Sequence, residues 1–213
     1  MAMPARSPCS DVPCYAARVV NADLSKLQTL RLKGRANLEM LAQSLGLSEA
    51  ETQREVDFLL AAGLVEEKKS FFGLTAAGEK QRVDALDSER AELDNRLVKT
   101  LYEDFCAING DFKQLVTDVQ LGNLERDAAP AELSKLHARF APLTLRIAAA
   151  IPRLSPYVER FEGALASLTG GDARYLASPL VESYHGLWFE LHEELIQASG
   201  LTREGEAAAG RGA

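Results

Sequence analysis

The sequence predicts a mostly α protein. Short helices and one small β-hairpin come first, and an all-helical C-terminal half follows. Three observations carry this expectation. Leucines recur at helical spacing from Leu24 onward, and single glycines repeatedly stop the runs. A strand signal occurs at one place, residues 64–74. The charge is also divided: residues 1–82 carry 11 Lys and Arg against 10 Asp and Glu, and residues 83–213 carry 13 against 21. The net −7 of the 213-residue chain therefore belongs to its second part, and an anion-binding surface is expected in the first.

Residues 1–22 hold scattered prolines and no period, and read as a flexible arm. Leu24, Leu27 and Leu30 set the face of a first helix, which Gly34 stops. Asn37 is the expected N-cap of a second helix with the apolar face Leu38, Leu41, Ala42 and Leu45, ending at Gly46. Ser48 and Glu51 form an S-x-x-E capping box. They open a third helix through Val56, Leu59 and Leu60 to Gly63. Leu64–Glu67 and Phe71–Leu74 flank Lys68-Lys69-Ser70 as a hairpin with a charged tip. Thr75 opens another helix, and Val83, Leu86, Leu93, Leu97 and Leu101 extend it as one long run.

Beyond it, Asn109-Gly110 is expected to interrupt or kink the helix, and Phe112, Leu115, Val116 and Val119 form the next amphipathic segment. Gly122–Pro130 reads as a linker, with Pro130 starting a helix that carries Leu133, Leu136 and Phe140. Ser155-Pro156 and Ser178-Pro179 are cap-plus-N1 signatures for helices at about 156–168 and 179–198, the last closed by Gly200. The expected organisation is an arm (1–22), a DNA-binding unit (23–82), a helical dimerisation or effector domain (83–200) and a disordered tail (201–213).

Three short helices, a tight glycine turn, a hairpin and a further helix follow the order of a winged helix-turn-helix. A short exposed helix fits the DNA major groove, and a hairpin reaches the adjacent groove or backbone. The stretch Leu38-Glu39-Met40-Leu41-Ala42, with Ala61-Ala62-Gly63-Leu64-Val65 and Leu74-Thr75-Ala76-Ala77-Gly78, resembles bacterial MarR-type transcriptional regulators over roughly residues 24–82. The resemblance implies a DNA-binding, dimeric, ligand-responsive regulator. Two departures stand out. The hairpin is short, with Lys68 and Lys69 its basic residues, and Glu49, Glu51, Glu55 and Asp57 surround Arg54 on the third helix. Acidic residues at a helix start favour the dipole but repel phosphate. The residues expected to contact duplex DNA are Lys33, Arg35, Ser48, Thr52, Gln53, Arg54, Lys68 and Lys69, with Gln53 suited to adenine and the cations to phosphate. Lys26 and Arg31 add to the phosphate set. The alternative is a winged-helix protein–protein interaction module with a ligand-binding helical domain and no DNA binding, which the acidic third helix favours.

In the helical half, Ser183–Glu194 is the richest segment. Leu180, Tyr184, Leu187, Leu191 and Leu195 share one stripe, and Val181, His185, Trp188, His192 and Ile196 the next. These are ordinary core-boundary positions, or the aromatic wall of a small-molecule effector pocket. The effector set on the second reading is Lys113, Thr117, Tyr184, His185, Trp188 and His192, with Lys113 suited to a carboxylate or phosphate. His185 and His192 lie two helical turns apart, about 10 Å, too far for one ion, and Ile196 stands where H-E-x-x-H needs its second His. No metal, cofactor or catalytic group is expected, and nothing matches a nucleophile elbow, P-loop or dinucleotide fingerprint. Cys9, Cys14 and Cys106 read as unpaired thiols. No apolar run spans a membrane and the start lacks a signal-peptide core, so a cytoplasmic homodimer is the expectation.

Overall fold

A computed structural model describes residues 24–208. The expected arm with Cys9 and Cys14, and the end of the expected tail (209–213), lie outside the described residues. The chain divides between Ala85 and Leu86 into two compact units.

The first unit holds α1 (Leu24–Lys33), α2 (Leu38–Leu45), α3 (Glu49–Ala61), β1 (Val65–Lys68) and β2 (Phe71–Leu74), and α4 (Ala76–Glu92) begins in it. The local signals act as their chemistry dictates. Asn37 Oδ1 accepts from Met40 N at 2.9 Å, and Gly46 closes α2 at φ 64°. Ser48 and Glu51 satisfy each other's backbone donors at the start of α3. The strands pair antiparallel from Val65↔Leu74 to Lys68↔Phe71. Ala36 forms an isolated bridge to Phe72 that ties the chain before α2 to the hairpin. Leu27, Leu30, Ala36, Leu41, Val56, Leu59, Leu64, Val65 and Phe72 form the core.

The A-A-G-L-V … L-T-A-A-G phrase has a physical basis. Gly63 takes φ 70° after α3. Thr75 Oγ1 donates to Gly63 O at 2.7 Å and accepts from Gly78 N at 3.1 Å, capping α4. A Cβ on Gly78 would lie 2.0 Å from Leu64 O, so only glycine lets α4 approach the strand this closely. Arg82, also buried, then donates to Gln28 Oε1 at 2.8 Å and to both Glu79 oxygens, fastening α4 to α1.

The second unit is helical: α5 (Asn95–Leu121), α6 (Ala129–Ala150), α7 (Pro156–Thr169), α8 (Arg174–Ala177), α9 (Tyr184–Ala198) and α10 (Arg203–Ala208). Four expectations are corrected here. The long helix through Leu101 breaks at Leu93-Asp94, because Asp94 Oδ1 caps a new helix by accepting from Arg96 N and Leu97 N. Asn109-Gly110 neither ends nor interrupts α5. One glycine costs a helix about 1 kcal/mol, and eight buried side chains along 27 residues outweigh it. The helix expected from Pro179 starts at Tyr184, since Ser183 rather than Ser178 supplies the capping oxygen, to Gly186 N. Leu180, assigned to the buried stripe, is 87% exposed as a result. The tail expected from residue 201 contains a short helix, Arg203–Ala208, with Glu206 buried.

The core of this unit is aromatic. Phe105, Phe112, Phe140, Phe161, Tyr184 and Trp188 are each at most 3% exposed. Among the described residues, no helix is long and apolar enough to cross a membrane.

Candidate functional site

The surface expected to meet DNA lies on α3 and the hairpin. Arg54 is exposed near the middle of α3. Gln53 is half-buried, and its amide donates to Asp57 Oδ1 at 2.7 Å. Thr52 faces the core, fully buried, with Oγ1 donating to Ser48 O. That corrects its assignment as a DNA contact: helical periodicity turns position 52 inward beside Val56. Ser48 is exposed, but its hydroxyl is engaged with Glu51. Lys33 is half-buried, so its stem is packed.

On the hairpin, Lys68 Nζ lies 2.9 Å from Glu66 Oε1, and Arg35 Nη2 lies 3.7 Å from the same oxygen. The Lys68 hydrogen bond, with the charges of Lys68 and Arg35, holds the Glu66 carboxyl below its usual range. Lys69 and Ser70 form the two-residue tip at φ 54° and 62°. Two positive φ values are the pattern of a type I′ turn, whose twist suits a hairpin. Here non-glycine residues adopt it, and Lys69 is exposed at the turn.

The acidic residues of α3 are less free than their number suggests. Glu55 pairs with Lys26 of α1 at 2.7 Å. Glu51 accepts from the Ser48 hydroxyl and backbone N–H, which lowers its carboxyl pKa. Glu49 and Asp57 remain exposed, as does Arg54.

The residues expected to bind an effector divide into two sets. Tyr184, Trp188 and His192 are buried on α9; Lys113, Thr117 and His185 are exposed. The space beside Trp188 is filled by rings. Phe112 stacks at 4.4 Å and 24°, with Phe140 at 4.4 Å and Phe105 at 4.8 Å. The indole donates to Asn109 Oδ1 at 2.8 Å. That bond accounts for the buried asparagine inside α5. The expected aromatic wall is therefore a packed core, and α9 contributes its edge to it.

Three polar constellations in this unit escaped the sequence. His137, the third histidine, contacts the Tyr184 hydroxyl through Nδ1 at 3.0 Å and Glu162 through Nε2 at 3.2 Å. Arg153 is buried between Glu89 and Glu194, at 2.9 Å from each. Arg160 bonds Glu182 and Glu190 at 2.6 and 2.7 Å, and its guanidinium lies 4.6 Å from the Tyr157 ring centroid. Both arginines stay charged, because their carboxylate neighbours offset the cost of desolvation. One spacing carried a signal: Glu190 and Glu194 are four apart on the face that also holds Leu187 and Leu191. Glu on that apolar face is itself a sign of a buried cationic partner.

Among the described residues, no group of three or more His, Cys, Asp or Glu is placed to hold a metal ion. The chain matches no family model, no curated protein and no solved structure.

Proposed function

We propose that the chain is a winged helix-turn-helix regulator of the MarR-like kind. It binds duplex DNA through α3 and the hairpin, as a homodimer, with the helical unit as its dimerisation or effector-sensing part. The observation that carries this reading is the α2–Gly46–α3 corner. A doubly capped short helix presents Arg54 outward, and a two-residue hairpin tip presents Lys69. In this reading Arg54 and Gln53 face base edges, and Lys69, Lys68 and Arg35 face phosphates. An effector acts by binding one arrangement of the helical unit better than another, which shifts the paired α3 helices. No catalytic step is assigned.

The test is selection of bound duplexes from a random pool by the full chain, followed by anisotropy titrations at several salt concentrations. Arg54→Ala is expected to cost about 1–3 kcal/mol and to relax preference at one base position. Lys69→Ala weakens all sequences alike. Absence of sequence-preferring, salt-dependent binding overturns the reading.

The exposed Glu49 and Asp57 favour a second reading, in which α3 docks on a basic protein surface and DNA is not bound. Glu49→Lys then abolishes partner binding, whereas under the first reading it strengthens DNA binding.

A further inference from the structure

His192 is completely buried, yet neither ring nitrogen has a hydrogen-bond partner. A buried unpaired polar group is costly, and structures rarely leave both nitrogens of one imidazole in that state. The ring lies near-parallel to Tyr102 of α5, with centroids 6.0 Å apart at 19°, and 5.2 Å from Phe105. The Tyr102 hydroxyl donates to Glu206 Oε2 at 2.5 Å. Glu206, only 3% exposed, belongs to the six-residue α10. A carboxylate buried to that degree needs a site built for it.

The attachment of α10 is polar. Arg203 lies 4.3 Å over the Phe189 ring, with Nε 3.2 Å from Glu193 Oε2. Gly205 N donates to Thr202 Oγ1 at the helix start. A six-residue helix is not stable alone, so its order depends on these contacts. The Tyr102 phenol O–H faces α10, and the His192 ring stacked near that phenol carries two nitrogens with no hydrogen-bond partner, one of them a donor in the neutral imidazole.

We propose that Tyr102 and His192 form a receptor for a single carboxylate, which the chain fills with its own Glu206, and that a short aliphatic monocarboxylate displaces Glu206 and releases α10. Propionate reproduces the Glu206 side chain beyond its Cα, and is the natural probe. A free ligand is not tethered, so it can orient toward an imidazole nitrogen that Glu206 leaves unbonded while keeping the Tyr102 hydrogen bond. It competes against a tethered group whose effective concentration is in the mM range or above, which sets the ligand range at about 10–100 mM.

Hydrogen exchange of the full chain, read by mass spectrometry on peptides covering 203–208, tests this. Propionate is expected to speed exchange there saturably, and sodium chloride at matched ionic strength is not. Glu206→Gln is expected to exchange several-fold faster without ligand and to ignore propionate. Tyr102→Phe and His192→Phe each lose the propionate response while peptides from α1–α3 stay unchanged. Tyr102→Phe removes one oxygen only, and decides the matter if His192→Phe fails to fold. The proposal is overturned if propionate does no more than chloride on the wild type. It is equally overturned if the response survives in Tyr102→Phe, or if Glu206→Gln stays as protected as the wild type.

Discussion

Replacing Arg153 with Met removes the charge at the centre of the Glu89–Arg153–Glu194 cluster while keeping much of the stem's volume. The Arg153 and Glu194 side chains are 8% and 4% exposed, so Glu194 is left as a buried carboxylate facing an apolar group. Glu89, at 19%, retains some water. Breaking a buried pair from one side costs about 3–5 kcal/mol, much of it the uncompensated partner. For a unit of this size that corresponds to a fall in Tm of roughly 10 °C or more. Trp188, the single tryptophan, lies in the same unit, and its fluorescence in a urea titration reports that unit alone. Arg153→Met is expected to lower the midpoint with little change in slope. Adding Glu194→Leu is expected to recover at least half of the loss, since an apolar replacement of the whole pair is often neutral. A loss below about 1 kcal/mol for Arg153→Met would refute the reasoning, because it would mean that water already reaches Glu194 or that its charge is solvated by other groups.

Two glycines make opposite predictions. Gly78→Ala places a Cβ 2.0 Å from Leu64 O and should destabilise the first unit by about 3 kcal/mol, read as loss of exchange protection in the hairpin. Gly110→Ala meets nothing within 4 Å inside α5, and should raise stability by about 0.5–1 kcal/mol in the Trp188 titration. Burial, helped by the charge of Arg203, lowers the pKa of His192. The unfolded chain therefore binds the proton first as pH falls below about 6.5, and stability drops by up to about 1.4 kcal/mol per pH unit until the folded group also titrates. His192→Phe should remove that component, so the stability difference between wild type and variant should slope between pH 6.5 and 5.5 and be flat above 7.5. For DNA, binding in which Lys69, Lys68 and Arg35 of two protomers neutralise phosphates predicts a slope of log K against log salt of about −5 at most. A slope near zero excludes phosphate contacts by these residues.

The first unit was legible because its signals are local. An Asn or Ser oxygen caps the helix that follows it, and a glycine stops the helix before it, whatever else the chain does. The helical unit was legible only where a residue's role is decided by its own neighbours. Asn109 reads as a helix breaker in isolation, but the indole of Trp188, 79 residues away, turns it into a buried acceptor within a continuous helix. Ser178 and Ser183 are both competent caps. The choice between them follows from α8, whose last turn Ser178 N closes by bonding Arg174 O. The buried edge of α9 was visible as periodicity. The four phenylalanines that fill the space beside it come from three other helices, so no single-helix pattern could tell a packed wall from a pocket. Arg153, in the short turn at Pro152–Leu154 between α6 and α7, and Arg160, on α7, failed to stand out for the same reason: a charged residue reads as solvated until its partners on other helices are known.

The charge on α3 changes meaning by the same route. Four acidic side chains around one arginine argue against a phosphate-rich partner when each is taken as a free charge. Lys26, 29 positions before Glu55, neutralises that carboxylate from α1. Glu51 has its carboxylate directed at the Ser48 N–H and hydroxyl, where the helix start favours a negative charge. What projects outward is Glu49, Asp57 and Arg54, and Asp57 holds Gln53 in place. Repulsion then comes from Glu49 in the first turn and from Asp57, whose charge the neutral Gln53 amide does not cancel, while Arg54 lies more than a turn beyond Glu49. An α3 that enters a groove must keep its first turn off the phosphates and lead with Arg54. Because Lys68 and Arg35 share Glu66, Lys69 at the hairpin tip is the cation best placed to set that tilt.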